Sequence, residues 1–239
     1  MKTVPHMHDY IHGLPEAVLA DVNSRSRERS FVKGESVYRQ GEPPTSMYRV
    51  ISGAVKLCNY TRDGREFIAS EFRAGDCFGE MGLIDGFPRV SHAVATADCL
   101  LQIIDRKDFD ALNALHSEFA VSVMLTLCRR LRFVFGLVAE AGGLSLNQRL
   151  ALNLYRLSYS QGCRDETNEL YVSVSQEELG RMLGTSRQTV NKELHKLVEE
   201  GSIELRYGKI YFSDLESMRE KYGNLLGAEH ITASYEDNR

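Results

Sequence analysis

Seven apolar residues between positions 120 and 141 recur at alternating spacings of four and three: Ala120, Met124, Leu127, Leu131, Val134, Val138 and Ala141. This is a heptad seam held for three repeats, and such a stripe is satisfied by burial against a second helix. Phe119, Val123, Phe133, Phe135 and Leu137 lie off the seam, so the helix needs cover on more than one face. The pattern predicts a helix capped by Ser117, with one face on its own domain. Met124, Leu127, Leu131, Val134 and Val138 then form a homodimer interface with the same helix of a second subunit. Gly142-Gly143 closes the helix and permits a hinge.

The chain changes character on either side of this helix. From about Phe31 to Asp105 it consists of short β-type runs (Met47–Ile51, Ala54–Tyr60, Glu66–Phe72, Leu100–Asp105) punctuated by glycines, the pattern of a barrel or sandwich. Asp63-Gly64 between two runs marks a hairpin. Tyr10–Arg29 reads as one short helix and a polar link. Beyond the glycine pair, Gln148–Ser160 is helical, residues 161–168 form a polar loop and Leu170–Val174 a strand. The domains predicted are residues 1–116, a sensor; 117–143, the dimerisation helix and hinge; 144–226, a DNA-binding domain; and 227–239, a flexible tail.

Ser175-Gln176-Glu177-Glu178 fits a capping box opening a helix that runs to Leu183. Gly184-Thr185 makes a tight turn, and Ser186 caps a second helix, Arg187–Glu200. Small residues at Gly180 and Gly184, with Val190 buried, are what a helix-turn-helix requires. Val190, Leu194, Leu197 and Val198 face inward; Arg187, Gln188, Asn191, Lys192, His195 and Lys196 face outward. Arg binds guanine bidentately and Gln or Asn binds adenine, so the start of this helix is suited to base edges. Ser175, Gln176 and Lys196 suit phosphates. Ile203–Arg206 and Lys209–Phe212 form a hairpin that makes the motif winged, with Arg206 and Lys209 beside the backbone. The net charge of −4 supplies no general attraction for nucleic acid, so binding must come from this local surface.

Lys33-Gly34-Glu35, Gln40-Gly41-Glu42, Ser52-Gly53-Ala54-Val55-Lys56, Gly75-Asp76-Cys77-Phe78-Gly79-Glu80 and Ser186-Arg187-Gln188-Thr189-Val190, in that order, span nearly all of the chain. In these segments the sequence resembles the cyclic-AMP receptor protein/FNR superfamily of bacterial regulators. The resemblance implies an α+β protein: an N-terminal cyclic-nucleotide-binding-type β-barrel (jelly roll), a long dimerisation helix and a C-terminal winged helix-turn-helix. It also implies a homodimer on a palindromic site in double-stranded DNA, with RNA polymerase as partner and a cytoplasmic location. In relatives that bind a cyclic nucleotide, a short helical cassette holds the ribose phosphate, and here it spans residues 79–91. By that likeness the effector residues are Gly79, Glu80, Met81, Arg89 and Ser91, with Val134 and Phe135 where the dimer helix meets the base. Glu80 can accept from a ribose hydroxyl and Arg89 can pair with phosphate. Val90 stands where nucleotide binders place Ser or Thr, and Val134 and Phe135 offer no hydrogen bond. Each buried ligand group left unpaired costs roughly 1–3 kcal/mol, which argues against cyclic AMP in its usual pose. The effector stays open among a cyclic nucleotide, another small molecule and none. Gln188 stands where many relatives carry glutamate, so a site richer in adenine is expected.

Other classes find less support. A regulatory module acting on a partner protein would need no helix-turn-helix. No Ser/His/Asp set in recognisable context, no phosphate-binding Gly-Lys loop and no metal-ligand spacing points to an enzyme. The five cysteines form no CxxC pair and start at Cys58, which excludes the N-terminal cluster of an iron–sulfur sensor. Their odd count, without an export signal, fits reduced cytosolic thiols. There is no run of 18 apolar residues for a membrane span. His6, His8 and His12, without an added Cys or Asp pattern, read as a mobile N-terminal segment, and no metal is assigned.

Overall fold

Alternating apolar residues between glycine turns build short antiparallel strands whose inward side chains meet in one core. The computed structural model describes residues 2–223, 225 and 231–234. Strand β1 (Lys2–Pro5) and helix α1 (Glu16–Ser24) precede β2 (Ser26–Phe31), β3 (Ser36–Tyr38), β4 (Ser46–Ser52), β5 (Ala54–Tyr60), β6 (Glu66–Arg73) and β7 (Cys77–Phe78). Helix α2 (Met81–Asp85) leads to β8 (His92–Ala95), β9 (Cys99–Asp105), α3 (Arg106–Leu115) and the long α4 (Ser117–Gly143). The remaining elements are α5 (Leu146–Ser160), β10 (Cys163–Arg164), β11 (Leu170–Val172), α6 (Gln176–Leu183), α7 (Arg187–Glu199), β12 (Ile203–Arg206), β13 (Lys209–Phe212), α8 (Leu215–Tyr222) and β14 (Ile231–Ser234).

Two compact units result. One spans His6–Cys128; the other runs from Arg129 onward and includes β1. The boundary falls inside α4.

In the first unit, sheets ordered β2-β9-β4-β7 and β3-β8-β5-β6 face each other as a jelly-roll sandwich. Between them lie Phe31, Tyr48, Phe72, Phe78 and Leu101, with Phe78 stacked on both Tyr48 and Phe72. A second core joins Tyr10, Ile11, α1 and α3 to Met47, Ile104 and the first turns of α4 through Phe119 and Val123. The predicted runs are strands β4, β5, β6 and β9, and β5–β6 is a hairpin. Two expectations need correction. Residues 26–29 of the polar link belong to β2, an edge strand paired along its length with β9; its solvent-facing residues carry no apolar signal. The segment read as mobile is folded, with Met7, Tyr10 and Ile11 almost fully buried.

In the second unit, α5, α6, α7 and α8 enclose Leu150, Leu154, Val190, Leu194, Leu197 and Met218 over the sheet β10-β11-β13-β12. Helix α5 starts two residues before the expected Gln148, because Ser145 and Gln148 form a capping box. Part of the tail expected to be flexible is also ordered. Ile231–Ser234 pairs in parallel with Lys2–Pro5, and the rest of that stretch lies outside the described residues. No described helix is long and apolar enough to cross a membrane.

Candidate nucleic-acid interface and effector pocket

The helix-turn-helix is fixed by local chemistry. Ser175 accepts from the Glu178 amide while Glu178 accepts from the Ser175 amide at 2.9 Å, which completes the capping box. Gly184 ends α6 with a left-handed φ of 66°, and Ser186 caps α7 by accepting from Thr189 N at 3.1 Å. A Cβ on Gly180 would sit 2.8 Å from the Thr185 carbonyl, so this close approach of α6 to the turn needs glycine. Val190, Leu194 and Leu197 are buried, which leaves Arg187, Gln188, Lys192, His195 and Lys196 exposed on the opposite face.

The predicted contact residues are not equivalent. Arg187 and Lys192 form no ion pair among the described residues. Lys196 is held by Glu193 at 2.7 Å, and Gln176 donates to Asn191 Oδ1 at 2.9 Å. Ser175 and Ser186 spend their hydroxyls on caps. Lys209 Nζ stands 3.9 Å over the Tyr171 ring. Arg206 pairs with Glu169 and Glu204; the Glu169 contact first, then Glu204, pushes its pKa up. The β12–β13 hairpin turns at Tyr207 and Gly208, both with positive φ, and leaves Tyr207 fully exposed at the wing tip. Sequence reasoning passed over Tyr207; an aromatic at the centre of a two-residue hairpin turn was the available signal. A cleft of about 500 Å³ runs between the starts of α6 and α7 and the wing, lined by Ser175, Gln176, Arg187, Tyr207 and Lys209 among others. Four of the predicted contact residues, Ser175, Gln176, Arg187 and Lys209, thus border one groove.

In the sandwich, Arg89 and Ser91 are buried while Val90 between them is 57% exposed. The alternation expected of extended chain therefore sends Ser91, not Val90, to the side of Arg89. The Arg89 guanidinium donates to the carbonyls of Gly79 and Ser46, each at 2.5 Å, and lies 4.3 Å over the Tyr38 ring. Its Nε has no hydrogen-bond partner among the described residues. Burial pushes the phenol of nearby Tyr48 up in pKa, and the Arg89 charge opposes that shift. Glu80 is buried just before α2, and Met81 is half exposed on its first turn. Gly82 is required by packing: a Cβ there would lie 2.6 Å from the Phe87 carbonyl and 2.7 Å from Pro44. Arg106, not predicted, fastens this cassette by donating to the carbonyls of Gly82, Leu83 and Pro44.

Along α4, Met124 and Leu131 are each 56% exposed in the protomer, Val134 50%, Phe135 66% and Val138 63%, and Leu127 is half-buried. Phe119, Val123 and Thr126 take the inward face of its first half. Val134 and Phe135 belong to the half of α4 in the second unit.

Residues 28–115 match the cyclic nucleotide-binding domain and residues 148–221 match the Crp-like helix-turn-helix domain. The chain is 31% identical over 212 residues to the cyclic AMP receptor protein of Thermus thermophilus, an alignment covering 87% of this chain and 94% of that one. It is 29% identical over 211 residues to the CRP-like cAMP-activated global transcriptional regulator of Mycobacterium tuberculosis, again covering 87% and 94%. The solved structure of TTHB099, a CRP-family transcriptional regulator of Thermus thermophilus, superposes with a TM-score of 0.67 at 28% identity, over 82% of this chain and 96% of that one. With both domains matched in order and the similarity spanning nearly the whole of its relatives, the chain belongs to the cyclic-AMP receptor protein/FNR superfamily of transcription regulators.

Proposed function

We propose that this chain works as a homodimeric, sequence-specific DNA-binding regulator that reads a palindromic site with α7. The observation that carries this is the start of α7, where Arg187, Gln188 and Lys192 are exposed beside a groove closed by the wing. Arg187 and Gln188 are the base readers; Lys192, Lys196, Lys209, Ser175, Gln176 and Ser186 hold the phosphates, with Asn191 positioned by Gln176. Lys196 must exchange Glu193 for phosphate, so it contributes less than Lys192 does. The seam of Met124, Leu131, Val134 and Val138, exposed in the protomer, with half-buried Leu127 between them, supports a two-fold partner helix. The family likeness supports RNA polymerase as a partner and a cytoplasmic location. Selection of bound oligonucleotides tests the assignment: a two-fold symmetric consensus is expected, and Arg187→Ala should lose preference at one position per half-site. Unchanged preference in that variant would refute it.

The N-terminal unit takes a phosphate-bearing small effector, with a cyclic nucleotide the leading class. Arg89 supports this, because a buried guanidinium held by neutral carbonyls and a ring gains from an anion. Ser91 adds a hydroxyl on the same inward side, with Gly79, Glu80 and Met81 around it. Val134 and Phe135, which the family likeness assigns to the base, carry no hydrogen-bonding group, and this disfavours cyclic AMP in its usual pose. Titration calorimetry with cyclic mono- and dinucleotides should show binding that Arg89→Gln weakens by about tenfold or more, since a hydrogen bond to a charged group contributes roughly 1.5–3 kcal/mol. Binding indifferent to Arg89 would exclude this pocket.

A further inference from the structure

The geometry points to a divalent-metal site at the entrance to the sandwich, formed by His6, Asp9 and His12. One ligand atom from each of the three lies within 4.8 Å of those from the other two. The spacing, His-x2-Asp-x2-His, is folded into a cluster by a turn in which Asp9 N donates to the His6 carbonyl at 3.1 Å. His6 adopts φ 50° there, and its ring stacks on His12 with centroids 3.6 Å apart and planes 12° from parallel. The carboxylate between them is fixed in advance. Asp9 is only 5% exposed; its Oδ1 accepts from the amides of Ile11 and His12, each at 2.9 Å, and its Oδ2 from Arg49 at 2.8 Å. The Cys77 thiol donates to the same Oδ1 at 3.7 Å. Support of this kind orients a carboxylate ligand.

Two imidazoles and one carboxylate suit a late first-row divalent cation of the zinc class, with water in the remaining position. Metal–ligand bonds of about 2.0–2.2 Å put neighbouring ligand atoms ~3.3 Å apart in a tetrahedral set. His12 is exposed and His6 partly so, and rotation of the two rings out of their stack closes that gap without moving Asp9. Arg49 is the charged group facing Asp9 from β4, and by sharing the carboxylate it holds the affinity below that of an unshared set. His6 follows directly on β1, the strand that pairs with β14 in the other unit. An ion joining His6 to His12 therefore fixes the point at which the chain enters the sandwich.

The test is zinc competition against a chromogenic chelator, using the full-length protein with exposed Cys128 and Cys163 replaced by serine so that thiols do not contribute. Cobalt(II) substitution gives a visible absorption band as an independent readout. The expected result is one zinc ion per protomer, with His6→Ala and His12→Ala each weakening uptake at least tenfold and abolishing the cobalt band. Neither histidine is in the apolar core, so both variants fold. No uptake by the parent, or less than tenfold weakening in either variant, overturns the assignment.

Discussion

Glu140 and Arg156 offer a sharp test of the energetics. Glu140, in the final turns of α4, is 2% exposed, and Arg156 on α5 is 8% exposed. The pair is bidentate: Arg156 Nη1 donates to Oε2 at 3.0 Å and Nη2 donates to Oε1, with the guanidinium 5.7 Å from the Phe133 ring. Glu140→Ala leaves a buried guanidinium without its carboxylate, and breaking a buried pair from one side costs about 3–5 kcal/mol. For a unit of this size the loss lowers the melting temperature by on the order of 10 °C. Glu140→Met with Arg156→Met removes both charges at similar volume and should restore most of the loss, because such replacements are commonly neutral or stabilising. Differential scanning calorimetry resolves the transition of the C-terminal unit from that of the sandwich. If Glu140→Ala costs less than ~1 kcal/mol, or the double variant is as unstable as the single one, the pair is not what ties α5 to the end of α4.

Four further outcomes follow from the geometry. Arg187→Ala should lose about 1–3 kcal/mol on the preferred site and relax preference at one base position. Lys192→Ala should weaken all sequences alike and lower the salt slope by about one, as read in binding titrations across ionic strength. Gly82→Ala should destabilise the sandwich by about 1–3 kcal/mol in urea titrations, since its Cβ meets the Phe87 backbone and Pro44. The Asp21 carboxyl is held below its ordinary 3.8 by hydrogen bonds from His116 first and Arg25 second. A depressed acid stabilises above its unfolded pKa and loses that contribution as pH falls through the folded one. The stability gap between wild type and Asp21→Asn should thus be full at neutrality and close below that range; a gap that persists in acid would contradict it.

Legibility in the sequence tracked how local the determining forces are. The capping box at Ser175 and Glu178, the Gly184 turn and the β5–β6 hairpin each depend on a few adjacent residues, and all were readable. The heptad seam was readable because α4 exposes it as a stripe. Edge strand β2 was missed because its pairing with β9 is a tertiary event and its side chains face water. Residues 7–11 were misjudged for the same reason, since their burial depends on Met47, Cys77 and Phe119 far along the chain. Among the contact residues, the sequence reading assigned each cation to DNA and none to a partner within the chain. Lys196 has its partner at an i−3 spacing that was visible, whereas Arg206 meets Glu169 across the sheet, which was not. Asp9 went unnoticed because its role comes from a turn that brings His6 and His12 around it.

The central claim is that two copies of α7, held apart by the α4 seam, read successive major grooves. Hydroxyl-radical footprinting on a selected site tests it most directly. Two protected blocks centred about 10 bp apart, one helical turn or roughly 34 Å, are predicted, and Leu131→Glu in the seam should abolish both together. A single protected block, or protection that survives in Leu131→Glu, would contradict the account.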